Sequence, residues 1–299
     1  MGAISDRLTL KAEALEVALV PQIGGSVSSL RWHGIDLMRR LSKEDLDAGD
    51  VLGVAMFPMM PYANRITGNA FEFAAKRWQV LPNNPPEKFN VHGSGWQHSW
   101  TVTKAGAIDA TLSLDIAAGP EPYSYRATQA FVVSEEGLSV TMTLTNTGPV
   151  DMPFGFGLHP WFDRNPDVTL QFKARHFYLE GPESISGDRI TLPPELDYAE
   201  TRPLSGGWRN NDYGGWSGEA TLRFPSRGVG LRIAADPVFK HLMLYADPTK
   251  PYFCVEPQTN ASGAFNRGRW DDPDEGVIVL APGENAAGTV LFMPFAVNT

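Results

Sequence analysis

Gly137-Leu138-Ser139-Val140-Thr141-Met142-Thr143-Leu144-Thr145-Asn146 alternates apolar and polar side chains without a break after the glycine. A period of two sends successive side chains to opposite faces of an extended backbone, so this stretch reads as a strand with one buried face and one wetter face. The pattern recurs outward in both directions. Towards the N-terminus it returns in Ala110-Thr111-Leu112-Ser113-Leu114-Asp115-Ile116. It returns again in Ser26-Val27-Ser28-Ser29-Leu30-Arg31-Trp32, which His33-Gly34 joins to Ile35-Asp36-Leu37 as a hairpin. Towards the C-terminus it marks 167–172, 220–224, 230–234, 242–245, 276–280 and 288–292. Helical signals are few. Ser42-Lys43-Glu44-Asp45-Leu46-Asp47 predicts one capped turn or a short helix, with Ser42 as N-cap and Asp45 near the capping-box position. Many short strands with Gly and Pro between them predict an all-β chain built as a large β-sandwich, rather than α/β layers.

The composition is consistent with that architecture. The 299 residues are 42% hydrophobic and include 29 Gly and 24 Pro, which suits a turn-rich protein with a large core. No fixed-period repeat, low-complexity tract or Gly/Ser-rich linker divides the chain, so residues 1–299 are expected to form a single domain. The stretch 181–218, with Pro193-Pro194 and Gly206-Gly207, reads as a long excursion carrying loops. A net charge of −9 with scattered basic residues argues against a nucleic-acid partner. No apolar run approaches the roughly 18 residues of a membrane span, so no membrane partner is expected. Cys254 is the one cysteine, which excludes an internal disulfide and fits a reducing compartment. Residues 2–9 contain Asp6 and Arg7 and no apolar secretory core, and Asp6 stands where a myristoylation site needs Ser or Thr. These features predict a soluble cytoplasmic protein.

Chemistry is expected at a few places. In Tyr252-Phe253-Cys254-Val255-Glu256-Pro257-Gln258, the first four residues read as a buried strand and Pro257 as its end, leaving Glu256 at a rigid strand terminus half out of water. Desolvation there would raise its pKa and suit it to proton transfer; the plainer reading is a salt-bridged or exposed terminal carboxylate. Among the six histidines, His159 lies in Pro153-Phe154-Gly155-Phe156-Gly157-Leu158-His159-Pro160-Trp161-Phe162, where small residues allow a ligand close and Pro160 marks the strand end. His92 lies in Asn90-Val91-His92-Gly93. His33, His98, His176 and His241 read as core or turn residues. Arg65, in Pro61-Tyr62-Ala63-Asn64-Arg65-Ile66, is a cation in an apolar setting, which calls for an anionic or hydroxyl-rich ligand or a structural carboxylate. No metal site is expected: His92 and His98 could share a strand face, but Gly93 and Gly95 break it and no third ligand is near. Cys254 in its apolar strand reads as an inert thiol, and neither a Gly-x-Ser-x-Gly turn nor a Gly-rich phosphate loop is present.

Asn64-Arg65-Ile66, Val91-His92-Gly93, Gly157-Leu158-His159-Pro160-Trp161-Phe162 and Val255-Glu256-Pro257-Gln258 occur in the order and approximate spacing of the aldose 1-epimerases. The opening Pro21-Gln22-Ile23-Gly24-Gly25-Ser26-Val27-Ser28-Ser29-Leu30 and the closing Leu280-Ala281-Pro282-Gly283-Glu284 resemble that family too, so the likeness covers nearly the whole chain. The resemblance implies a galactose mutarotase-like supersandwich that interconverts the α and β anomers of an aldose such as glucose or galactose, with no cofactor. It implies Glu256 as general base and His159 as general acid, standing on opposite sides of the sugar ring. It implies that Arg65 and His92, with Asn64 beside them, bind the sugar near its ring oxygen and hydroxyls. Trp161, Phe162 and Tyr213, near the expected site, predict a shallow groove with an apolar floor. The family's hydroxyl-binding aspartate aligns with Asn210, whereas the nearest carboxylate is Asp212. Two rival readings keep the fold: a hexose-6-phosphate mutarotase, with Arg77 and Arg164 as phosphate ligands, and a non-catalytic carbohydrate-binding protein.

Overall fold

The computed structural model describes residues 7–297; residues 2–6 of the stretch read for a targeting signal lie outside them. Leu138–Asn146 is a strand over the predicted residues, and its odd-even burial is complete: Leu138, Val140, Met142 and Leu144 are buried and the residues between them are half-buried. It lies between Tyr125–Val133 and the long C-terminal strand Asn285–Ala296 in a nine-stranded antiparallel sheet. An eleven-stranded antiparallel sheet packs against that one. Apolar side chains from both, among them Val140, Leu144, Leu158, Phe162, Phe253 and Phe292, form the main core. The chain is therefore an all-β sandwich.

The predicted hairpin forms, with Trp32 paired to Ile35 and both His33 (φ 49°) and Gly34 (φ 79°) in the left-handed region that a two-residue hairpin turn requires. The predicted short helix is Lys43–Ala48, with the Ser42 side chain accepting from the Asp45 backbone N–H. The excursion at 181–218 holds more regular structure than its turn residues imply. Ser186–Thr191 and Arg209–Gly214 join the larger sheet, and Arg202–Pro203 edges the smaller one.

In the middle of the larger sheet, Met56–Met59, Gly157–Asp163, Tyr252–Gln258, His241–Ala246 and Arg209–Gly214 lie side by side in that order. Met56–Met59, Gly157–Asp163 and Tyr252–Gln258 are buried on both faces, which is why they carry apolar runs rather than a clean alternation. Leu158, Phe162, Phe253 and Val255 face the main core. Phe57, Trp161 and Cys254 face a second apolar cluster with Val91 and Trp96. That second face carries the cleft.

Candidate active site

His159 and Glu256 reach the cleft from adjacent strands. Gly157 is opposed to Gln258 and Trp161 to Cys254, a register that sets His159 against Glu256. Ladder pairing lapses between those two points, where Pro160 on one strand and Pro257 on the other have no N–H to donate. Neither proline ends its strand: Gly157–Asp163 runs through Pro160, and Tyr252–Gln258 runs through Pro257, which pairs with Leu242. This corrects the expected strand ends. It also corrects the expected exposure of Glu256, which is 2% accessible rather than half out of water, because the site-bearing sheet face is itself covered. Gly155 and Gly157 serve packing rather than ligand approach. A Cβ on Gly157 would stand 2.7 Å from both Met59 Cε and the Pro257 carbonyl oxygen, and one on Gly155 2.0 Å from Asn260 Oδ1.

The imidazole of His159 is clamped between Phe57 (centroids 4.5 Å apart, 24°) and Trp161 (4.6 Å, 30°). Its Nε2 lies 3.3 Å from Glu256 Oε1. The two groups thus share one wall, and the expectation of an acid and a base facing each other across a sugar ring is overturned. Burial opposes charge on both. It pushes the His159 pKa down to about 3, with Arg39 and Arg65 adding smaller effects in the same direction. It holds the Glu256 carboxyl well above the usual carboxylate range, helped by the nearby charge of Asp212 and opposed by Arg65. Burial thus favours the neutral pair, protonated Glu256 beside neutral His159, over the ion pair.

Asn64, Arg65 and His92 come together beside this pair. The Asn64 N–H donates to His92 Nδ1 (3.0 Å) and the His92 N–H to the Asn64 carbonyl (3.0 Å). With Nδ1 accepting and burial depressing its pKa well below the usual histidine range, His92 is neutral and carries its proton on Nε2 as a donor. Asn64 (φ 65°) and His92 (φ 60°) both hold left-handed backbone, strain that the Asn260 side chain supports by bonding the N–H and carbonyl of Ala63. Arg65 forms a bidentate pair with Glu87 (Nη2–Oε1 2.9 Å, Nε–Oε2 3.1 Å), which leaves three of its five N–H groups for a ligand. Its partner was not foreseen, since nothing in Pro85-Pro86-Glu87 signals a site.

Asn210 and Asp212 separate in depth. Asn210 lines the cleft and its amide donates to Glu180 Oε1 (2.7 Å). Asp212 is fully buried beneath it, bonded to His241 Nδ1 (3.1 Å) and the Ser262 N–H (2.7 Å). His241, read as a core residue, is thus the partner of Asp212. Trp161 lines the cleft, whereas Phe162 and Tyr213 are buried in the main core and do not. In Gly157–Asp163 the period of two explains this: His159 and Trp161 share one face, and Leu158 and Phe162 the other.

The resulting cavity has a volume of about 310 Å³, at the small end of ordinary ligand pockets (~300–1,000 Å³). Its wall also takes in Phe57, Trp96, Met243, Tyr245 and Trp208, aromatic and apolar residues that carried no recognisable sequence signal. Arg65 is the one arginine or lysine lining it among the described residues. Arg77 is exposed and faces Glu72 (3.9 Å), and Arg164 donates to the backbone carbonyls of Asp247 and Ser205, so neither reaches the cavity. Ligand atoms of His159, Cys254 and Glu256 lie within 4.8 Å of one another, a donor set that could converge on a cation. Burial pushes the Cys254 thiol well above its usual pKa, which disfavours the thiolate a metal would need.

A large antiparallel β-sandwich of this kind is the fold of the galactose mutarotase-like proteins. The sequence profile of that group, described as aldose 1-epimerase, matches residues 6–292, and the chain belongs to this family. The uncharacterised protein YphB of Escherichia coli (strain K12) is 31% identical over 285 residues, spanning 93% of this chain and 94% of its own. A crystal structure from Escherichia coli K12, named as a candidate aldose 1-epimerase, superposes with a TM-score of 0.90 at 28% identity, covering 98% of this chain and 99% of that one. A galactose mutarotase-like protein from Clostridium acetobutylicum shares the fold with a TM-score of 0.83 at 19% identity, covering 97% and 95%. No helix among the described residues is long and apolar enough to cross a membrane.

Proposed function

We propose that the protein interconverts the α and β anomers of a free aldose without a cofactor, using Glu256 and His159 as a coupled proton-transfer pair. The observation that carries this reading is the 3.3 Å approach of Nε2 to Oε1 within the cleft. Ring opening removes a proton from the anomeric hydroxyl and adds one to the ring oxygen. Those two oxygens are bonded to the same carbon, so adjacent groups on one wall can serve both of them. Starting from Glu256 carboxylate and His159 imidazolium, Oε1 takes the hydroxyl proton while Nε2–H gives its proton to the ring oxygen. The C1–O5 bond breaks and the carbonyl forms.

The pair ends with its one proton on Glu256. Rotation about C1–C2 then exposes the other carbonyl face, and closure returns the protons in reverse. Direct transfer between Oε1 and Nε2 can also restore the starting tautomer, with no need for water. The neutral form (protonated Glu256, neutral His159) is favoured by burial and can begin the mirror-image exchange. The cavity supports the remaining roles. Nε2–H of His92 and the free N–H groups of Arg65 offer donors to sugar hydroxyls, and Asn64 and Asn210 offer amides; Trp161, its ring covered by His159 and Arg39, only lines the wall. A cavity without an unpaired lysine or arginine supports a free sugar over a 6-phosphate.

Polarimetry of freshly dissolved α-glucose and α-galactose, each also as the 6-phosphate, tests the reading. Faster mutarotation of the free sugars is expected. Strong preference for the phosphates, or no acceleration of any aldose, would overturn it.

A further inference from the structure

Cys254 is the one cysteine of the chain and has no part in the proton exchange. It precedes Glu256 by two residues on the same strand, so both side chains leave the same face of the sheet. On the neighbouring strand Trp161 is opposed to Cys254 and Gly157 to Gln258, a register that brings His159 beside both. The Cys254 Sγ, a carboxylate oxygen of Glu256 and a ring nitrogen of His159 consequently lie within 4.8 Å of one another. Two paired strands in the middle of the larger sheet fix this triangle, so the three donors are held before any ion arrives.

Distance and charge both match a tetrahedral zinc ion. Zinc bonds of about 2.0–2.3 Å set neighbouring ligand atoms about 3.3–3.6 Å apart. Nε2 and Oε1 already stand 3.3 Å apart. Bringing Sγ into place takes at most about 1.2 Å, shared between the torsions of Cys254 and Glu256. The site disfavours net charge, and Zn²⁺ with one carboxylate, one thiolate and a neutral imidazole has none. Burial keeps the free thiol protonated, but a coordinating cation removes that proton itself. A His–Cys–Glu set also selects zinc over magnesium and calcium, which take oxygen ligands. Two features weaken the site. Arg39, held over the Trp161 ring, is a nearby cation, and the buried Nδ1 of His159 has no hydrogen-bond partner to fix its proton. A resident metal centre normally has that partner, so binding here is reversible.

We propose that Cys254, Glu256 and His159 form a reversible zinc site, and that Zn²⁺ seated there switches the acid–base pair off. Oε1 and Nε2 then hold the ion in place of the protons they exchange, and the fourth coordination position faces the cleft. Starting from the neutral pair, binding releases one proton from Glu256 and one from Cys254. The switch rests on the mutarotase reading; the zinc site does not.

Co²⁺ is the spectroscopic probe, because it occupies zinc sites and its bond to a thiolate gives a charge-transfer band in the near ultraviolet. With one cysteine in the chain, that band reports Cys254 alone. The wild type should show it at one Co²⁺ per chain, and added Zn²⁺ should abolish it. Cys254→Ser and Cys254→Ala, each checked for a cooperative thermal transition, should lack the band. Both should raise the calorimetric zinc Kd by about a hundredfold, since even a residue that only supports a metal ligand contributes about 10–100-fold. Zn²⁺ should stop polarimetric mutarotation of free hexoses by the wild type, and EDTA should restore it. In the cysteine variants the zinc concentration for half inhibition, measured against each variant's own zinc-free rate, should rise by the same factor as Kd. Absence of the thiolate band, or a zinc Kd unmoved in both variants, overturns the site. If the band appears and no sugar is turned over, the mutarotase reading fails and the zinc site stands. If the band appears and mutarotation continues with zinc bound, the switch is overturned.

Discussion

At the residue scale the site is governed by how protons are held in a place that disfavours net charge. A second proton makes the pair cationic, and loss of the last one leaves a buried carboxylate with only Arg65 opposing its cost. Activity should therefore decline as pH rises through the raised pKa of the Glu256 carboxyl; a pH profile of kcat/KM reads this directly. Glu256→Gln keeps shape and hydrogen bonding but cannot exchange a proton, so turnover should drop by about two to four orders of magnitude. His159→Asn should do likewise, and the double variant should lose little more, because the two groups act in one exchange. Wild-type polarimetric rates in Glu256→Gln would reduce Glu256 to a structural carboxylate. The same substitution should be stabilising. A carboxyl whose folded pKa is raised contributes stability that is complete below its unfolded value, about 4.3, and is lost as pH rises through the folded value. Glu256→Gln should thus match the wild type in Tm near pH 4 and exceed it increasingly as pH rises through the raised folded value.

At the scale of elements, two neighbouring strands do the positioning. Gly157–Asp163 sends His159 and Trp161 to the cleft and Leu158 and Phe162 to the core, and Tyr252–Gln258 splits Cys254 and Glu256 from Phe253 and Val255 in the same way. The distance between the acid and the base is thereby an interstrand spacing, sensitive to anything that pries the strands apart. Gly157→Ala places a Cβ 2.7 Å from the carbonyl oxygen of Pro257 on the facing strand. Overpacking of this kind costs about 1–3 kcal/mol, and here it also displaces Glu256 from His159. The variant should lose stability in urea titrations and lose kcat out of proportion to any change in KM. Unchanged kcat in a destabilised protein would show that the pair tolerates a shift of the strand.

At the scale of the molecule, the sandwich separates support from chemistry. Leu144 sits in the smaller sheet, fully buried in the main core, while the cleft lies on the outer face of the larger sheet. Leu144→Ala should lower unfolding free energy by about 2–5 kcal/mol and leave kcat/KM per folded molecule unaltered at room temperature. The buried histidines set the acid limit. His92 and His159 have folded pKa values depressed below the unfolded one, so their contribution is complete above about pH 6.5 and is lost as pH falls towards the folded values, down to about 3 for His159. Across that window each adds up to about 1.4 kcal/mol per pH unit to the fall in stability. Urea midpoints measured from pH 7 to pH 4 should drop steeply, and His159→Gln should drop less.

Local pattern alone was enough for the sandwich class, the Leu138–Asn146 strand, the His33-Gly34 hairpin and the Ser42-capped helix, because a period of two, a turn dipeptide and a cap are written in neighbouring residues. The order of short motifs was enough to pick out His159, Glu256, Arg65 and His92, which the fold gathers into one cleft. Which face of a doubly covered strand a side chain takes is not visible in a run such as Leu158–Phe162, since burial on both sides erases the alternation. Hence Phe162 and Tyr213 were expected at the cleft and lie in the core. Two prolines that read as strand ends prove to interrupt a ladder inside continuous strands, because each lacks an N–H to donate across it. The Glu87 partner of Arg65, the sinking of Asp212 onto His241 and the 3.3 Å contact of the acid–base pair all join residues far apart in the chain. Only the register and stacking of the sheets bring such residues within hydrogen-bonding or van der Waals reach, so tertiary structure alone decided them.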